Sequence, residues 1–144
     1  MKIKLLNGIS RGFIILSALS LLYVTVLAFF DPRAVMQLVG VTLPNNDAIS
    51  SIRGVYGGVG LTIVLLLVRC VIRDISLGLL FLCFLWGLYA ISRLITSFHE
   101  GPLGAFGSQW LMIESIFFLI ALALWFGQRR AGTARARGIS LGRN

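Results

Sequence analysis

The reading of this chain turns on residues 46–72, NDAISSIRGVYGGVGLTIVLLLVRCVI. The second half of this stretch is almost wholly apolar, and the whole is long enough, at ~1.5 Å per residue, to cross a ~30 Å hydrocarbon core as a helix. Yet it opens with Arg53 and four glycines, Gly54, Gly57, Gly58 and Gly60. Gly54 and Gly58 form a GxxxG pair, a spacing that lets helix backbones approach closely in lipid and gain dispersion contacts. A guanidinium is costly at mid-membrane, so Arg53 is expected near a helix end or facing protein or water. The stretch predicts a packed membrane bundle with one polar mouth.

Composition agrees with that solvent. Of 144 residues, 58% are hydrophobic and only 12% charged, a balance that would coat a soluble domain of this size in apolar surface. The formal net charge is +8. Its basic residues lie at segment ends and in the last stretch: Lys2, Lys4 and Arg11, then Arg69 and Arg73, then Arg129, Arg130, Arg135, Arg137 and Arg143. Such placement suits topology signals and anionic lipid headgroups, and no nucleic-acid recognition module interrupts the apolar runs. Membrane lipids are the expected partners, and nucleic acid is not.

Outward from the central stretch, the chain divides into four spans, at about residues 10–30, 48–72, 75–97 and 108–126. Val26-Leu27-Ala28 resembles a signal-peptide cleavage site, but the first apolar segment is read as a retained span. Asp31-Pro32 is an N-cap followed by proline at the first helical position. It opens a short helix with apolar Ala34, Val35, Leu38 and Val39, closed by Gly40 and expected to lie in the interface between spans one and two. A loop follows, and Asp47 is expected to cap span two. Arg73-Asp74 leaves room only for a tight hairpin, with Asp74 capping span three. Residues 99–107 read as a glycine-rich loop, and residues 128–144 as a basic, flexible tail. The expected fold is all-α: an integral membrane four-helix bundle, up-down-up-down, with residues 1–127 as its domain.

Ten of the thirteen lysines and arginines fall in the amino-terminal segment, the hairpin between spans two and three, and the tail; the other side holds Arg33, Arg53 and Arg93. By the positive-inside rule both termini face the cytoplasm, and the chain is expected in a bacterial inner membrane.

That orientation puts several polar residues at one depth. Counted at ~1.5 Å per residue, Arg53, Arg93, Tyr23, Tyr56, Glu114 and Tyr89 all lie roughly 5 to 12 Å beneath the outer face. Trp86, Tyr89, Arg93 and Thr96 follow helical spacing on one face of span three, as Arg53, Tyr56, Gly57 and Gly60 do on span two. A carboxylate at the depth of Glu114 must be protonated or find an arginine. If it takes one of Arg53 and Arg93, the other fork is left for a carboxylate or phosphate. The site reading is therefore a pocket open to the periplasmic side for an amphipathic molecule with an anionic or polar head, formed by Arg53, Tyr56, Trp86, Tyr89, Arg93 and Glu114. The structural alternative has both arginines snorkelling to lipid phosphates and Glu114 clasping span four to its neighbours. Gly54 and Gly58 are expected to pack tightly inside the monomer, with a seam to a second copy or to a partner in a larger membrane complex as the other use.

Other chemistries find little support. His99 has no second histidine at ligand spacing, so no metal is expected. Cys70 and Cys83 should lie ~13 Å apart in depth, beyond disulfide reach. No Ser-His-Asp set, Walker motif or paired-carboxylate site can be assembled, and neither an enzymatic activity nor a cofactor is expected. Small multidrug transporters also have four spans and a membrane glutamate, but two arginines at the depth of Glu114 would keep it ionised and oppose proton exchange. The remaining class is a non-catalytic accessory subunit.

The layout of four spans, with Ser51-Ile52-Arg53-Gly54-Val55-Tyr56-Gly57-Gly58 at the mouth of span two, resembles a family of small bacterial membrane proteins known as a domain of unknown function and grouped with the DoxX-like four-helix proteins. The likeness covers residues 5–130 and is most specific in the Arg-Gly-Val-Tyr-Gly-Gly run. It implies a four-helix bundle in the inner membrane and no established reaction. The two separated cysteines depart from the thiol redox role linked to DoxX-like proteins.

Overall fold

The structure, a computed structural model, describes the backbone of residues 2–141 and the side chains of residues 3–133. Its elements are α1 (Lys2–Phe30), α2 (Pro32–Gln37), α3 (Asn46–Ile52), a π-helical stretch (Arg53–Val59), α4 (Gly60–Arg73), α5 (Ile75–His99) and α6 (Ala105–Leu141). α3, the π-helical stretch and α4 follow without a break and make one long helix. Four segments are long and apolar enough to cross a membrane: Ile3–Phe30, Asn46–Arg73, Ile75–His99 and Ala105–Thr133. No strand occurs among the described residues.

Local chemistry sets the boundaries. The Asp31 carboxylate accepts from the Ala34 amide at 3.1 Å, and Pro32 takes the first turn of α2, where its missing N–H has no intrahelical partner to lose. Gly40, at φ +71°, stops the chain after α2. Val41 N donates to Met36 O and Gly40 N to Gln37 O, both at 3.0 Å, which is the Schellman pattern that only a left-handed residue closes easily. α2 buries Pro32, Val35 and Met36 against the bundle and leaves Leu38 and Val39, just past its end, half exposed. Asp74 alone joins α4 to α5 and caps the latter through the Leu77 amide at 2.9 Å.

Three boundaries differ from expectation. Asn45, not Asp47, caps the second long helix: its extended backbone turns the side chain onto the Ala48 amide at 2.9 Å. Asp47 sits instead in the first turn, where its charge complements the helix dipole. His99 still belongs to α5, and α6 already begins at Ala105, so the loop between them is short. α6 also runs past residue 126 to Leu141, because the Ala- and Arg-rich sequence there favours helix and contains no proline. Residues 142–144 of the expected tail lie outside the described residues.

Cross-helix contacts fix the directions. Gly57 packs on Phe29 and Gly60 on Thr25, Gly78 on Cys70 and Ile14, and Gly87 on Phe118. Gln128 bonds back to Asn7 near the start of α1. Successive long helices therefore run antiparallel, with α1 beside α4, α4 beside α5, and α5 beside α6, which returns to α1. The core between them holds Phe13, Ile14, Leu67, Leu79, Leu82 and Trp86, and a second cluster seats α2 on Ala28, with Leu43, Ile52 and Tyr56 around it. The outside is apolar as well: Phe30 is 83% exposed and Phe98 85%. An exterior of that kind is stable against hydrocarbon and not against water.

Candidate functional site

α5 and α6 approach closely where Gly87 lets the Phe118 ring lie against the backbone; a Cβ there would stand 3.1 Å from that ring. One to two turns toward the end opposite the hairpin, Arg93 meets Glu114 side-on. Nε donates to Oε2 at 2.7 Å and Nη2 to Oε1 at 2.9 Å. Glu114 is only 2% exposed, whereas the Arg93 side chain keeps 23% of its surface. Both carboxylate oxygens are thus answered by one planar fork, the geometry in which an arginine compensates best for the removal of a carboxylate from water.

Beneath the pair lies an aromatic group. The Trp86 ring stands edge-on to Phe117 at 5.1 Å and is tilted against Tyr89 at 6.4 Å. Trp86 is 4% exposed, and its indole Nε1 is buried with no hydrogen-bond partner. Tyr89 is more open, at 42% exposed. Trp86 is thus a core residue with an orphan donor, since burial normally supplies an indole with an acceptor.

Arg53 makes a different contact. Its Nε donates to the Phe29 carbonyl at 3.1 Å. Phe29 lies in the last turn of α1, whose final carbonyls have no intrahelical donor, so the guanidinium caps α1 from a neighbouring helix and meets the negative end of its dipole. Among the described residues no carboxylate lies within ion-pair reach of Arg53. The Nε contact leaves both of its Nη groups for other acceptors.

The run RGVYGGV is itself the π-helical stretch. A π turn is wider than an α turn and occurs mostly as a single-turn bulge inside an α-helix, frequently at a functional site. Here it carries Arg53 toward Phe29, seats Tyr56 in the α2 cluster and turns Gly57 to the Phe29 ring, where a Cβ would come within 3.1 Å. Gly60 is tighter, as a Cβ would collide with the Thr25 hydroxyl. Gly54 and Gly58 have nothing within 4 Å of an added Cβ. The expected tight packing of the GxxxG pair inside the monomer is therefore wrong: Gly57 and Gly60 face α1, and Gly54 and Gly58 face away.

Of the six residues expected to form the site, Arg93, Glu114, Trp86 and Tyr89 come together, whereas Tyr56 packs in the α2 cluster. Arg53 is held at the end of α1. Tyr23, expected at the same depth, is 71% exposed on the outside of the bundle. One contact carries no sequence signal. Gln128 Nε2 donates to Asn7 Oδ1 at 2.9 Å and to Ser10 Oγ at 3.0 Å, tying α6 to α1 at the hairpin end. Cys70 and Cys83 are both buried and free. No three metal-ligating side chains gather among the described residues.

A family model described as a domain of unknown function, DUF4345, matches residues 9–126. That span contains every residue of the layer just described. No curated protein and no solved structure matches the chain.

Proposed function

Because the chain belongs to the DUF4345 family, whose function is unknown, we propose a role from the site itself: a multi-pass membrane protein that binds an amphipathic molecule with an anionic or polar head. The observation that carries this reading is the division of labour between the two arginines. Glu114 neutralises Arg93, so the layer retains one net positive charge on Arg53, whose Nη groups are not spoken for. A guanidinium fork of that kind suits a carboxylate or phosphate.

By the distribution of basic residues, this end of the bundle faces the periplasm of a bacterial inner membrane, and both termini face the cytoplasm. Kinship with the DoxX-like proteins rests on the four-span layout and the Ser51 to Gly58 run, and it adds no reaction.

Native mass spectrometry of the protein purified from its membrane tests this reading. A bound amphipathic molecule is expected on the wild type and is expected to be lost from Arg53→Gln, while Gly54→Leu keeps it. A wild type that emerges without any adduct would sink the proposal.

A second reading, a non-catalytic subunit of a larger membrane complex or of a homo-oligomer, draws on the outward-facing Gly54 and Gly58. Under it, Gly54→Leu releases a partner in native gels and leaves the monomer folded. The same substitution leaving the migration unchanged would count against it.

A further inference from the structure

Toward the hairpin end of the bundle, α1 and α4 pack side by side and leave an apolar furrow along their seam. Between them runs a groove of about 260 Å³ lined by Ile15, Leu19 and Leu22 of α1 and by Val64, Val68 and Ile72 of α4, among other apolar side chains. These positions recur at helical spacing on both helices, so the groove follows the bundle axis for about 10 Å, from Ile15 to Leu22. Arg11 stands one turn before Ile15 on the same face of α1, and Arg73 directly follows Ile72 at the end of α4. Both arginines are exposed, and neither has a carboxylate within ion-pair reach among the described residues. Arg69, also exposed, lies one turn deeper, while the nearby Asp74 carboxylate is engaged by the Leu77 amide.

An apolar slot along the bundle axis with cations at its mouth matches one occupant in charge and in shape. We propose that this groove seats an acyl chain of an anionic phospholipid whose phosphate is held by Arg11 and Arg73. The chain fills the slot with methylene contacts that α1 and α4 do not make with each other, and the phosphate meets two guanidiniums at the level of the hairpin. A zwitterionic lipid can offer the chain but carries no net charge for the arginines to select. The site lies at the other end of the bundle from Arg53 and does not depend on the reading given for that layer.

The experiment reconstitutes the whole protein in vesicles of equal phosphatidylglycerol and phosphatidylcholine, then reads retained lipid by native mass spectrometry after detergent release. The wild type is expected to retain phosphatidylglycerol in preference. Arg11→Gln and Arg73→Gln should each lower that preference by roughly fivefold, the effect expected of one basic residue near an anionic surface. Val68→Trp, which places a ring across the groove, should remove both lipids. Leu19→Phe repeats that arm from the other wall if circular dichroism finds Val68→Trp unfolded. Phosphatidylglycerol retained at wild-type levels by the groove-filling variant, or by Arg11→Gln/Arg73→Gln together, overturns the proposal. So does equal retention of the two lipids by the wild type.

Discussion

Arg93 on α5 and Glu114 on α6 are joined by two parallel hydrogen bonds of 2.7 and 2.9 Å, with the carboxylate almost wholly buried. The pair explains how one acid is carried inside an otherwise apolar segment, because each charge is the other's replacement for water.

The consequence for stability is asymmetric. Arg93→Leu alone leaves a buried carboxylate without a partner and should destabilise the bundle by about 3 to 5 kcal/mol, whereas Arg93→Leu with Glu114→Leu should recover most of that loss. Unfolding in mixed detergent, run as a double-mutant cycle, measures both. A double variant no more stable than the single one would contradict this account of the pair.

Glycine substitutions should divide by face. Gly60→Ala meets the Thr25 hydroxyl and should cost about 1 to 3 kcal/mol, as overpacking does elsewhere. Gly54→Ala enters open space and should be neutral or slightly stabilising, since alanine favours helix over glycine by up to ~1 kcal/mol. Thermal melting of the two variants decides; equal losses would mean that the helix faces are assigned wrongly.

The Arg53 contact to Phe29 should be visible as local order. Arg53→Gln removes a charged donor from the end of α1, so amide exchange should quicken in the last turn of α1 and in α2. The α5 to α6 interface should stay protected. Uniform loss of protection across the chain would place Arg53 in the global core instead of at a cap.

The polar contact at the other end should behave as an ordinary buried hydrogen-bond set. Gln128→Ala leaves Asn7 and Ser10 without their donor, and a loss of about 1 to 3 kcal/mol is expected. Asn7→Ala with Gln128→Ala should lose less than the sum of the two single changes. Strict additivity in a denaturant series would show that the contact carries no coupling energy.

Topology can be checked directly. In a background with Cys70 and Cys83 replaced by serine, single cysteines at Asn46 and Gly101 should react with an impermeant thiol reagent added outside intact cells. One at Asp74 should react only after lysis. Labelling of Asn46 and Asp74 from the same side would break the antiparallel order.

The sequence by itself determined the count: four apolar stretches long enough to cross a membrane, a tight hairpin at Arg73-Asp74 and the ends of α2 at Asp31 and Gly40. These follow from local composition and from caps whose partners lie within a few residues. It also limited Glu114 to an arginine at similar depth, without deciding which. Tertiary structure chose Arg93 for Glu114 and the Phe29 carbonyl for Arg53. It also turned Gly57 and Gly60, and not Gly54 and Gly58, toward α1. Those outcomes depend on how each long helix is rotated about its own axis. Spacing groups Arg53, Tyr56, Gly57 and Gly60 on one face of the helix, but only packing against α1 and α2 decides that this face, and not the one with Gly54 and Gly58, is turned inward.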